Sequence, residues 1–383
     1  MNKAHVAARD DQNVTFVELF FDLVFVFSVT QVVTILHGHI TWTTVGQAVL
    51  VFWLVWWAWS QFTWALNAAN TTHHLIALGV LLATGVAFFM AAAVPDAFGD
   101  RALWFAITYV LVRSIGMALM AWTNSGDDTG GAGVRIFTIM SVGGLIAVIA
   151  GGVAGGMAQY WLWGMAIVLD VVAGLVAGNQ EGWNLRPEHF VERHGLFTII
   201  ALGETLIVAA AQVTDGAWTA EEIAIAGLAV VLTCGFWWSY FVRAKPMLDH
   251  AMESSSGIKQ ATLARDAFSL IHFPMMGGVI AYALAIEEAL AHPDEPLPLV
   301  GRIALAAGLT LFTAGMGTAV WRATGRVLLS RLVLVAVAAV LIVAIADVHP
   351  LVTLAIAVVG IGSIVIVEQR TLTEHETVSE ASS

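Results

Sequence analysis

The stretch FVELFFDLVFVFSVTQ, residues 16–31, carries two messages in one helix turn after another. Its apolar residues are nearly continuous and, extended through Leu36, reach the roughly 20 that a helix rising about 1.5 Å per residue needs to cross a hydrocarbon layer about 30 Å thick. Yet it contains Glu18 and Asp22. Four residues apart on a helix, they share one face. A charged side chain at bilayer depth costs about 2.5–3.5 kcal/mol on insertion scales, so such residues turn toward a bundle interior or a water-filled cavity. The stretch therefore sets the class of fold, and it marks the first place to look for function.

The rest of the chain agrees with the first message. Of 383 residues, 59% are hydrophobic and 11% charged, with a mean hydropathy of +0.83, whereas a soluble domain has about 45–50% apolar and 25% charged residues. Lys3 and Arg9 precede the first apolar run, but no small-residue cleavage site follows, which makes the run a retained helix rather than a signal peptide. The net charge of -12 resides largely in loops and in the tail EHETVSEASS, an ordinary solvated terminus, and nucleic acid is not an expected partner. The single cysteine, Cys234, excludes a disulfide framework and a cysteine metal site and is expected to be a small core residue.

Breaks at polar, Gly- or Pro-containing stretches divide the chain into twelve expected helices: 14–36, 44–67, 73–94, 102–123, 134–155, 158–178, 190–212, 221–243, 265–290, 299–321, 328–346 and 350–367. Polar connections are expected at 124–133, 179–189 and 244–264. With an even number of spans both termini face one side, and 13 of the 16 Lys and Arg residues fall on that side. Positively charged loops stay cytoplasmic. Both termini are thus expected inside, in a bacterial cytoplasmic (inner) membrane.

An internal repeat is expected as well. HLIALGVLLATGVAFFMAAAVPD, 74–96, aligns without gaps on HFPMMGGVIAYALAIEEALAHPD, 272–294, pairing His74 with His272, Gly79 with Gly277 and Pro95-Asp96 with Pro293-Asp294. Phe16-Val17-Glu18 matches Phe190-Val191-Glu192, Trp59-Ser60 matches Trp238-Ser239, and Gly116-Met117 matches Gly315-Met316, all in the same order. The sequence thus predicts an all-α polytopic membrane protein: a cytoplasmic segment 1–13, a six-helix repeat 14–178, a linker 179–189, a second repeat 190–367 in the same orientation, and a cytoplasmic tail 368–383. Parallel repeats of this kind commonly hold a site between them.

Candidate functional residues are the polar groups inside the spans. Glu18, Asp22, Glu192, His74 and His272, with Ser60 and Ser239, cluster toward the cytoplasmic ends of their helices and predict a vestibule there; capping or anchoring a helix at the interface is the simpler role for Glu18, Glu192, His74 and His272, and a weaker one for Asp22, which apolar residues separate from the N-terminal flank. Deeper are Arg113, Asp170 and Glu204, and Arg113 is expected to pair with Asp170 or Glu204. Asp22 and Glu204 are the candidates for reversible protonation. Pro274, near the start of the ninth helix, is a candidate hinge. Gly151 with Gly155, Gly152 with Gly156, and Gly174 with Gly178 have the spacing that lets helices approach closely. No metal-ligand spacing is evident, and no cofactor is expected.

The runs VELFFDLVFVFSVTQ, ERHGLFTIIALGETL and IHFPMMGGVIA resemble the bacterial low temperature requirement A family of multi-pass membrane proteins. The family is named for growth in the cold, so the resemblance implies a fold and no reaction. On the matched positions it draws Arg193 and His194 into the candidate site beside Glu18, Asp22, Glu192, Glu204, His272 and Pro274. The function expected from these readings is a proton-coupled secondary transporter, not an enzyme, with a cation channel as the alternative and a membrane sensor or lipid-directed enzyme as the third. Lipid, a small solute or ion and, in a homodimer, a second copy of the chain are the expected partners.

Overall fold

Residues 13–36, 40–123, 131–180, 183, 185–213 and 219–381 are described by a computed structural model. Lys3, Arg9 and most of the loop 124–133 lie outside them. The helices are α1 (Phe16–Leu36), α2 (Trp42–Asn67), α3 (His74–Ala93), α4 (Ala102–Thr123), α5 (Gly131–Ala154), α6 (Gly156–Gly178), α7 (Pro187–Val213), α8 (Ala220–Trp238), α9 (Lys245–Glu253), α10 (Gly257–Leu263), α11 (His272–Ala291), α12 (Leu299–Thr324), α13 (Leu329–Ala344) and α14 (Pro350–Ala381). Two π-helical segments, Ser239–Ala244 and Ala264–Leu270, join α8 to α9 and α10 to α11. Counted through those segments, 11 helices among the described residues are long and apolar enough to cross a membrane, and α13, at 16 residues, is a shorter apolar helix.

The expected polar loop 244–264 is instead helical. Spans 220–253 and 257–291 contain 34 and 35 residues, or about 51 and 53 Å of helix, well beyond the hydrocarbon thickness. Their excess length is itself helical, its polar residues continuing the helices rather than interrupting them. Gly257, at φ +56°, opens α10 after the break at 254–256, a backbone conformation that costs glycine little.

By packing, the chain falls into two compact units, one comprising residues up to Ile200 with Ala251–Ser269, the other Ala201–His250 with Leu270 onward. This partition cuts within α7. In the first unit α2 is the central element: from Ala48 to Asn67 almost every residue is buried, between α1 on one flank and α4 and α6 on another. Gly151 and Gly152 serve close packing, lying against Trp163 and Ala106. Gly155 and Gly156 do not: with φ of +62° and +52° they form the reversal between α5 and α6.

In the second unit α11 and α12 pack most tightly. A Cβ on Gly278 would stand 2.7 Å from the Phe312 nitrogen and 2.9 Å from the Gly308 oxygen. Backbone cannot swing aside as a side chain can, so Gly278→Ala is expected to force the helices apart at a cost of about 1–3 kcal/mol, read as a lower unfolding midpoint in detergent. Gly227→Ala on α8, where nothing lies within 4 Å, is the matched control and should leave the midpoint unchanged. Cys234, expected in the core, is exposed on the outer face of α8.

Candidate functional site

Glu18 and Asp22 project from one face of α1, as their spacing requires. Opposite them on α7 stand His189 and Arg193, also four residues apart and so on one face. The two pairs meet side by side. Arg193 binds Asp22 through Nη2 and, at 3.4 Å, through Nε; its Nη1 donates to the Phe62 carbonyl at 3.2 Å and lies 3.8 Å from Glu18 Oε1. The guanidinium carbon sits 5.9 Å from the ring centres of both Phe21 and Trp59, whose π faces favour a cation. The indole of Trp59 donates to Asp22 Oδ1 at 2.7 Å.

Glu18 has two roles. Its Oε2 accepts from the Thr15 backbone N–H at 2.9 Å and from the hydroxyls of Thr15 and Thr71 at 2.8 and 3.1 Å, which fixes the start of α1 in the manner of an N-terminal cap. Its other oxygen is 3.1 Å from His189 Nε2. The His189 Nδ1 lies 3.4 Å from the Asn67 side-chain amide nitrogen, and its Nε2 faces Glu18 Oε1 without completing a hydrogen bond among the described residues. Glu18, Asp22 and Arg193 are 0% exposed and His189 2%.

Two carboxylates face one guanidinium and one imidazole, and a second guanidinium, that of Arg186, donates to the Asn67 carbonyl at 2.6 Å beside His189. Hydroxyls, an indole and carbonyls surround the cluster, so the polar atoms are held in place.

A second ionic group lies in the same unit. Arg113 on α4 grips Asp170 on α6 with both terminal nitrogens, at 3.1 and 3.3 Å, and donates to the hydroxyls of Tyr109 at 2.9 Å and Ser141 at 3.2 Å. Here the charges balance one to one. Of the two partners expected for Arg113, Asp170 is the one found. Glu204, the other, is only half-buried and makes no hydrogen bond or ion pair among the described residues.

The remaining candidates disperse. Glu192 is half-buried, and its Oε2 accepts from the Val14 N–H at 3.3 Å. His194 points away from the ionic cluster: Nδ1 meets the Phe190 carbonyl at 2.9 Å, and its ring lies among Trp56, Trp59 and Phe268. Glu192, Arg193 and His194 therefore do not form one group, because consecutive residues leave a helix in different directions. His74 is exposed and stacks on His73 at 4.8 Å. His272 is buried and meets the Tyr240 hydroxyl at 3.0 Å. The expected equivalence of His74 with His272 is thus not matched by their surroundings. Pro274 sits in the first turn of α11, where a missing N–H is tolerated, directly after the π-helical segment. Among the described residues no group of three or more His, Cys, Asp or Glu is arranged to hold a metal ion.

Long apolar helices whose few charges are folded inward into ionic networks define a multi-pass helical membrane protein with a buried polar site. The chain belongs to the bacterial low temperature requirement A protein family, whose family model matches residues 13–366. It is 30% identical over 323 residues to an uncharacterized protein of Rhizobium meliloti (strain 1021), covering 80% of this chain and 76% of that one. No solved structure matches the chain significantly.

Proposed function

We propose that the protein is a proton-coupled secondary transporter of the cytoplasmic membrane, with both termini inside, and that Glu18, Asp22, His189 and Arg193 form its proton-binding centre. The observation that carries this reading is the make-up of that cluster: two fully buried carboxylates share the Arg193 guanidinium, with an imidazole beside them at 3.1 Å that can take up and release a proton. The sequence suggested Asp22 and Glu204 for this role; Asp22 is retained, and the Glu18–His189 contact at 3.1 Å replaces Glu204. Proton uptake there changes the charge balance that keeps Arg193 shared between two carboxylates, and so can release α7 from α1. The duplication of the first six helices as the last six, and lipid with a small solute or ion as the partners, belong to the same reading. It assigns no catalytic chemistry to the chain.

A cation channel is the weaker alternative, because the carboxylates that would draw ions are already engaged by Arg193 and His189. The test uses purified protein in liposomes loaded with a pH-sensitive dye and challenged with a panel of small solutes. Solute-dependent proton entry is expected, reduced at least tenfold by Asp22→Asn and by His189→Gln at equal reconstitution. Solute entry that neither variant alters would remove the proposal, and a non-saturating current without solute would favour the channel.

A further inference from the structure

Within the first unit, on the side of α2 away from Glu18 and Asp22, lies a cavity of about 30 Å³ that none of the contacts above uses. A water needs about 10–15 Å³ on such a measure, so the space admits two or three water-sized groups, with further room toward its open side. Its walls are rings: Trp57 and Trp64 from α2, Phe137 from α5, and Trp183. The indole N–H of Trp64 is spent on Ser269 Oγ at 2.9 Å and that of Trp183 on the Ala177 carbonyl at 2.8 Å. These two rings are therefore fixed, and their polar edges are spoken for. Gly174 and Gly178 leave the α6 side bare, where a Cβ would stand 3.0 Å from the Trp57 ring and 3.1 Å from Arg265 Nη1.

Gln61 and Arg265 in this wall have capacity left. Gln61, 3% exposed, donates its Nε2 to the Arg113 carbonyl at 3.1 Å, while its Oε1 is buried with no hydrogen-bond partner among the described residues. Leaving such an acceptor unmatched costs about 1–3 kcal/mol. Arg265 is neutralised by Asp266 at 2.7 Å, but its Nη1 reaches only the Leu175 and Asn179 oxygens, both at the long distance of 3.4 Å. An occupant must offer a donor to Gln61 and can offer an acceptor to Arg265. A full cation would meet the guanidinium. A full anion would meet the Gln61 oxygen and the Asp266 carboxylate that already pairs with Arg265.

We propose that this cavity binds a small uncharged polar solute, of the size of a short primary amide, that presents an N–H or O–H to Gln61 and an oxygen to Arg265 while its apolar part lies against the indole rings. As a solute site it deepens the transporter reading and rests on it for its role; its existence as a binding site does not. The cavity also borders the Arg113–Asp170 group, since Phe137, one of its walls, lies 6.0 Å from the Arg113 guanidinium carbon.

The probe is acetamide, and the readout is saturation-transfer NMR on the full-length protein in detergent, irradiating aromatic protons and observing the acetamide methyl. The expected result is a clear transfer signal for the wild type. It should fall at least fivefold in Gln61→Leu, which keeps the shape and removes the acceptor, and in Ala177→Leu, which fills the space. Ala177→Gly, which leaves the cavity open, should keep the signal and shows that position 177 tolerates change. Equal signals from wild type and both Leu variants would overturn the site. Binding that behaves as expected, without uptake of acetamide into liposomes coupled to a pH gradient, would sink the transporter reading and leave the site standing.

Discussion

Arg193→Ala is expected to be the most damaging single substitution in the first unit. It strands Asp22 and Glu18, both 0% exposed, with His189 as their one ionic partner. Removing one member of a buried pair costs about 3–5 kcal/mol, because the charge left behind keeps its desolvation penalty and loses its compensation. The expected result is a protein that accumulates poorly or unfolds at a markedly lower temperature in detergent. The cause is separable from lost packing. If stranded charge is responsible, Glu18→Gln with Asp22→Asn in the Arg193→Ala background should recover most of the loss, whereas loss of the side chain's volume would not be repaired. Arg193→Lys is expected to fall between, since an ammonium cannot serve Asp22, Glu18 and the Phe62 carbonyl from one planar fork. An Arg193→Ala protein as stable as wild type would show that the cluster contributes nothing to the fold.

The helical class and nearly all helix positions were legible because they depend on apolar run length, which is a local property. The loop expected at 244–264 failed for the same reason: α9 and α10 are polar, and hydropathy finds membrane depth rather than helix. Of the four clustered residues, Glu18 and Asp22 were legible from the residues themselves and Arg193 through the family resemblance. Glu18 and Asp22 stand out as charges in hydrocarbon, and their spacing places them together. His189 was missed because it lies in a polar stretch, RPEHFVERHG, where one more histidine carries no surprise. A signal was present nonetheless. His189 and Arg193 repeat the four-residue spacing of Glu18 and Asp22, and reading α7 by face rather than by adjacency would have paired Arg193 with His189 instead of His194. Asn67, Thr15 and Thr71 carry no such signal, since their part is set by contacts with residues distant in sequence.

The second large effect is expected at Arg113 and Asp170, and it distinguishes a fixed brace from a working part. Asp170→Ala leaves a fully buried guanidinium with only the hydroxyls of Tyr109 and Ser141 for its terminal nitrogens. The expected cost is again about 3–5 kcal/mol, seen as a lower unfolding midpoint. Replacing both partners with apolar residues of similar size, Arg113→Met with Asp170→Leu, removes both desolvation penalties at once, and such exchanges are often neutral or stabilising by about 1–4 kcal/mol. The double variant is therefore expected to melt at or above the wild-type temperature. Its flux is the informative quantity. Because the group borders the Gln61 cavity, a double variant that folds well, binds acetamide as the wild type does and no longer carries solute would identify the pair as a gate, held together in one state and parted in another. The same variant with undiminished flux would make the pair a brace between α4 and α6, and the moving parts would then have to be sought at Glu18, Asp22, His189 and Arg193.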